Sequence, residues 1–95
     1  MSKPAKVYIA GPITGHPDYK QVFENAQKNL EAAGSVAINP AILREGLSPG
    51  EYMAICLPML LSADRVLFLH GWETSKGAMI EHALALYAGK EIGYV

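Results

Sequence analysis

Residues 65–69 read RVLFL, and after the arginine every side chain is apolar. A strand with one face in water alternates apolar and polar residues. An unbroken run is the mark of a strand covered on both faces, as in parallel sheets packed between helices. The run therefore asks for two helical layers, and the rest of the chain supplies both strands and helices at the right intervals.

KVYIA at 6–10 is a β-branched and aromatic run that ends abruptly in GPITG, which reads as a buried strand feeding a turn. SVAI at 35–38 and EIGYV at 91–95 complete four strands. Between the first two, Val22, Phe23, Ala26, Leu30 and Ala33 recur at helical spacing, so residues 18–33 form a helix that Asp18 caps and Gly34 stops. SPGE at 48–51 opens a second helix, with Ser48 and Glu51 spaced for a capping box and Pro49 at the first helical position. That helix runs to about Ala63, with a kink or break near 54–58 because Pro58 removes a backbone donor. After the loop HGWETS, Thr74 or Ser75 caps the third helix, GAMIEHALALYAG, which ends at Gly89.

Strand and helix alternate throughout, which predicts an α/β fold: a Rossmann/flavodoxin-like three-layer sandwich around a four-stranded parallel sheet. Right-handed crossovers give the order 2-1-3-4. Ligands of such sheets bind beyond the carboxyl ends of the strands where the winding reverses, here between the first and third strands.

At 95 residues the chain is read as a single domain, 1–95. Its net charge of -1, with scattered Lys and Arg, offers no electrostatic footprint for a polynucleotide. Cys56 is the single cysteine, so no internal disulfide forms, and it reads as a buried apolar residue. His16, His70 and His82 lack the spacing of a metal site, and no metal or other cofactor is expected. MAICLPMLLSA is too short for the ~20 residues that span a bilayer, and the amino terminus has no cleavable signal pattern. The expected location is the cytoplasm.

Three segments converge on the switch point. Gly11, Pro12, Ile13, Thr14 and Gly15 follow the first strand and either offer bare amides to a ligand or simply make a tight turn. Ser75 and Gly77 begin the third helix, whose free amides suit a phosphate, though Ser75 serves equally as an ordinary cap. Glu81 interrupts a stripe of Gly77, Ala78, Leu84, Ala85 and Ala88. Either it is a desolvated carboxylate with a role, or the stripe faces solvent and Glu81 is a plain helix former. His70 leaves the third strand and is the histidine best placed to touch a ligand. Trp72 stacks on a planar base or covers the sheet end. Asp64 stands at the entering end of the third strand, away from the predicted pocket. His82 points about 100° away from Glu81 around the helix and is solvated or at a subunit contact.

Taken together, VYIAGPITG, the AD before an apolar strand, and G-x-x-x-E followed by A-x-x-x-G-K resemble the nucleoside 2-deoxyribosyltransferase superfamily, including its small phage and bacterial members. The resemblance implies that Glu81 is the nucleophile at the anomeric carbon, that Tyr8 orients it, and that Asp64 is an active-site acid linked with protonating the leaving base. It also implies a nucleoside or nucleotide substrate and a homodimer or larger assembly. Transferases of that superfamily usually carry Asp where this chain has Ser75. Serine there resembles the deoxynucleoside 5'-monophosphate N-glycosidase branch, in which it helps bind phosphate; that branch carries Arg where this chain has Thr14. These departures leave open a nucleotide-binding or sensing protein without turnover.

Overall fold

The computed structural model describes residues 3–95. Strand β1 (Lys6–Ala10), helix α1 (Tyr19–Ala32), strand β2 (Val36–Ile38), helix α2 (Pro49–Leu61), strand β3 (Arg65–Phe68), helix α3 (Lys76–Tyr87) and strand β4 (Glu91–Tyr94) follow in order. Short 3-10 turns occupy Pro40–Ile42 and Trp72–Thr74. The four strands form one parallel sheet in the order β2-β1-β3-β4. This is the predicted arrangement, with β1 and β3 adjacent at its centre.

Register decides which side chains reach which layer. Tyr8 lies opposite Ile38 on β2 and Val66 on β3. Because successive strand residues point to opposite faces, β1 divides its side chains between two packed clusters. Tyr8 and Ala10 join Cys56, Leu60, Ala63, Val66, Phe68 and Ala85 beneath α2 and α3, whereas Ile9 joins Phe23, Ala41 and Leu69 beneath α1. Full burial of side chains such as Phe23, Leu60 and Phe68 contributes about 1.5–3 kcal/mol each before entropy is counted.

Ser48 and Glu51 form the reciprocal capping box: the Ser48 amide donates to Glu51 Oε1 at 2.7 Å and the Glu51 amide donates to Ser48 Oγ at 3.2 Å. Asp18, in contrast, makes no side-chain cap bond; its backbone carbonyl accepts from Gln21 and Val22 instead. Gly34 adopts φ +89° after α1, a conformation natural to glycine, and Ser35 returns its amide to the Leu30 carbonyl. Helix α2 runs unbroken through Pro58. A proline deletes one hydrogen bond, and the packed neighbours Cys56 and Leu60 hold the helix on the sheet despite the loss.

Candidate active site

A cleft of about 920 Å3 opens at the carboxyl end of β1, between the segment that follows it and the amino-terminal turns of α2 and α3. Of the residues singled out in the sequence, Tyr8, Gly11, Pro12, Ile13, Thr14, Ser75, Gly77 and Glu81 line it. The α2 side contributes Pro49, Tyr52, Met53 and Cys56, and His16 and Lys76 stand at the wall formed by the loop and α3. Apart from Lys76, which lies between Ser75 and Gly77 in the turn read as a phosphate cradle, these were not drawn from the sequence as cleft residues. The available signal was the capping box at Ser48, which aims the start of α2 toward the same strand ends.

Glu81 is at the floor and only 5 % exposed. Its stripe faces inward: Ala78, Glu81 and Ala85 are the buried residues of α3, although Ala88 at the far end is exposed. The Tyr8 hydroxyl donates a hydrogen bond to Glu81 Oε2. Burial raises the Glu81 carboxyl to about 7, an effect that the Tyr8 bond partly opposes because it favours the charged form. Tyr8 itself is pushed far above the ordinary phenol range by burial and by the neighbouring carboxylate, so it remains a donor throughout the accessible pH range. Burial likewise raises the Cys56 thiol, which excludes a standing thiolate.

Around this pair the backbone is tightly fitted. A Cβ added at Gly11 would stand 3.0 Å from Leu69 Cβ, so glycine lets the end of β1 run alongside the exit of β3. Gly15 turns the chain at φ +79° and does not line the cleft, which makes its part a turn rather than a contact. The Ser75 side chain accepts from the Ala78 amide at 3.3 Å and caps α3 while also facing the cleft, so its two readings are compatible. Thr74 does not cap α3; its hydroxyl donates to the Gly71 carbonyl.

Three sequence candidates lie elsewhere. Asp64 is exposed at the entering end of β3, where Oδ2 accepts the Lys6 amide at 2.9 Å. The opposite end of that strand faces the cleft, and Asp64 does not line it. His70 is exposed beside a separate groove of about 400 Å3 between α1 and the end of β3. Trp72 stacks on His82 with ring centroids 4.2 Å apart, and His82 Nε2 shares a 2.7 Å hydrogen bond with the Tyr94 hydroxyl. Trp72 thus covers the sheet end, and His82 is tied into an aromatic cluster with Phe68 rather than left free in solvent. Among the described residues no group of three or more His, Cys, Asp or Glu side chains is disposed to hold a metal ion.

The four-stranded parallel sheet, with a cleft and a buried, hydrogen-bonded carboxylate at its switch point, has the architecture of the doubly wound class. Residues 5–94 match the family described as Domain of unknown function (DUF4406), and the chain belongs to that family. Among solved structures, it is similar to a 2-desoxiribosyltransferase from Leishmania mexicana, with a TM-score of 0.75 at 21% identity. The match covers 96% of this chain and 63% of that protein, so the shared fold accounts for less than two thirds of the larger molecule. No curated protein matches the sequence.

Proposed function

We propose that this protein cleaves the N-glycosidic bond of a nucleoside or deoxynucleoside, or of its 5'-monophosphate, with Glu81 as nucleophile. The observation that carries the reading is the Tyr8–Glu81 pair, buried at the floor of a cleft large enough for a nucleotide. Cleavage passes through an oxocarbenium-like state, and a carboxylate beneath the anomeric carbon either stabilises its charge or forms a glycosyl-enzyme intermediate. Tyr8 holds one carboxylate oxygen and leaves the other for the sugar. Water then releases the sugar, or a second base accepts it. The amides and hydroxyls of Gly11, Thr14, Ser75 and Gly77, together with Lys76, suit sugar hydroxyls and any phosphate, because the amino end of α3 favours negative charge. The reaction needs no metal or organic cofactor.

The working form is a homodimer or larger assembly in the cytoplasm. Met79, Ile80, Leu86 and Tyr87 leave α3 with an exposed apolar face, and Ile80 belongs both to that face and to the cleft wall. No described helix is long and apolar enough to cross a membrane.

One observation favours a second reading, a nucleotide-binding or sensing protein without turnover: Glu81 is the one carboxylate lining the cleft among the described residues. With Asp64 distant, no second carboxyl is present to protonate a departing base. Incubation with a panel of nucleosides and deoxynucleoside monophosphates separates the two. Free base that vanishes in Glu81→Ala supports the enzyme; tight binding with no base released by the wild type supports the sensor.

A further inference from the structure

A base that leaves a glycosidic carbon takes the bonding electron pair with it, and a proton delivered as it goes eases the departure. Glu81 is the one carboxylate lining the cleft among the described residues, so the proton has to come from another kind of group. The titratable side chains that line the cleft are Tyr8, His16, Tyr52, Cys56, Lys76 and Glu81. Tyr8 gives its proton to Glu81, and the Tyr52 hydroxyl donates to the Arg44 carbonyl at 2.7 Å. Burial keeps the proton on Cys56. An ammonium such as that of Lys76 is a poor acid near neutrality. His16 is left, and histidine is the side chain that ordinarily exchanges a proton between about pH 5 and 8.

We propose that His16 is the general acid that protonates the departing base; the inference rests on the reading of Glu81 as nucleophile. The backbone of His16 is held from both sides: its amide donates to the Ile13 carbonyl at 3.1 Å, and its carbonyl accepts the Tyr19 amide at 3.1 Å. Gly15, at φ +79°, turns the chain between Thr14 and His16, both of which line the cleft. His16 is exposed, so its imidazole is open to a ligand. Pro40, Leu47, Pro49 and Met53 give the cleft an apolar wall for a flat base. In the first step a Glu81 oxygen bonds to the anomeric carbon while the bond from that carbon to the base nitrogen breaks. The electron pair and the imidazolium proton go to the base, which leaves neutral, as does the imidazole. In the second step water, or a second base, displaces Glu81 from the sugar and gives its proton to His16, which restores both groups.

The test compares the wild type with His16→Gln on two substrates: the nucleoside that the wild type cleaves fastest, and the same nucleoside with a base that leaves without a proton, 7-methylated for a purine or 5-nitrated for a pyrimidine. Loss of a general acid is expected to slow the ordinary nucleoside by roughly 100-fold or more and the activated one by less than about threefold. The profile of the ordinary nucleoside should also fall on the alkaline side as His16 loses its proton, whereas with the activated base only the acid limb of Glu81 remains. His16 is exposed, so the substitution leaves the core intact. Equal slowing of both substrates would make His16 a binding residue and overturn the proposal, as would no slowing of either. A wild type that releases neither base overturns the enzymatic reading and the acid role with it, an outcome distinct from failure of the acid role alone.

Discussion

Tyr8, in the middle of β1, and Glu81, in the second turn of α3, are 73 residues apart in sequence and joined by a buried hydrogen bond. Their meeting follows from the strand alternation that sends Tyr8 beneath α3 and from the small residues Ala78 and Ala85 that let that helix lie close to the sheet. Burial sets the carboxyl near neutrality, and the phenol keeps its charged form accessible. The same desolvation that makes a carboxylate reactive also makes it costly to hold.

On the proposed function Glu81 must be ionised to act as nucleophile, so base release is expected to rise with pH along an acid limb centred at about 7, where half of Glu81 is charged. Tyr8→Phe removes a bond that lowers the Glu81 pKa, and the limb should move to higher pH. The lost charge-assisted bond also implies a rate reduced by roughly 10–100-fold. A pH–rate profile of each protein tests both statements; an acid limb near 4.5 in the wild type would show that Glu81 is solvated in the working protein.

Stability gives a measurement free of any substrate. The folded pKa of Glu81, about 7, lies above its ordinary value of 4.5. Its contribution is therefore fully present below pH 4.5 and is lost as pH rises through 7. Glu81→Gln retains an acceptor for Tyr8 without the buried charge. Above pH 7 it should be more stable than the wild type by up to about 3 kcal/mol, which for a chain of this size raises Tm by the order of 10 °C. Thermal melts at pH 5 and pH 8 check the sign: the advantage should grow with pH, and an advantage that shrinks would refute the desolvation argument.

Local signals account for what was legible in the sequence. The strands, the Ser48 capping box and the stop at Gly34 depend on neighbours within a turn or on alternation, and the strand order follows from crossover handedness. Seven of the eight cleft-lining candidates followed from the switch-point rule, and Tyr8 came from the resemblance alone. What was hidden depends on contacts between elements. Trp72 is drawn away from the cleft by His82 and Phe68, partners that no local pattern names. The amino-terminal turns of α2 entered the site because they pack beside α3, a pairing fixed only when both helices share one sheet face. Asp64 lies where its position along the strand puts it, its carboxylate accepting the Lys6 amide at the far end of the sheet.

Ser75 separates capping from phosphate binding. Ser75→Ala loses the bond to the Ala78 amide and should cost about 1 kcal/mol of stability. Ser75→Asp preserves a good cap, so stability should stay within a few tenths of a kcal/mol of the wild type while the added charge repels a 5'-phosphate. Affinities for a nucleoside and its monophosphate, measured beside urea melts, are expected to show the monophosphate weakened at least tenfold in the Asp variant and the nucleoside unchanged. Equal weakening of both ligands would remove Ser75 from phosphate recognition.

The outer face of α3 is the place to test assembly. Leu86 is 60% exposed and Tyr87 92%, one and two turns beyond Met79, Ala83 and Ile80 on the same apolar side of the helix. Covering such a side chain fully contributes about 1.5–3 kcal/mol, so a face of this kind repeated on two subunits supplies a real driving force for pairing. A partner seated there would also stand beside Ile80 and close that wall of the cleft. Leu86→Glu and Tyr87→Glu leave the cleft residues untouched and place charge on the face. Light scattering is expected to show the wild type as a dimer or larger and both variants as monomers with unaltered circular dichroism, and ligand affinity should fall with the loss of the wall. A wild type that is monomeric at tens of micromolar while binding nucleotide normally would mean that one subunit completes the site alone.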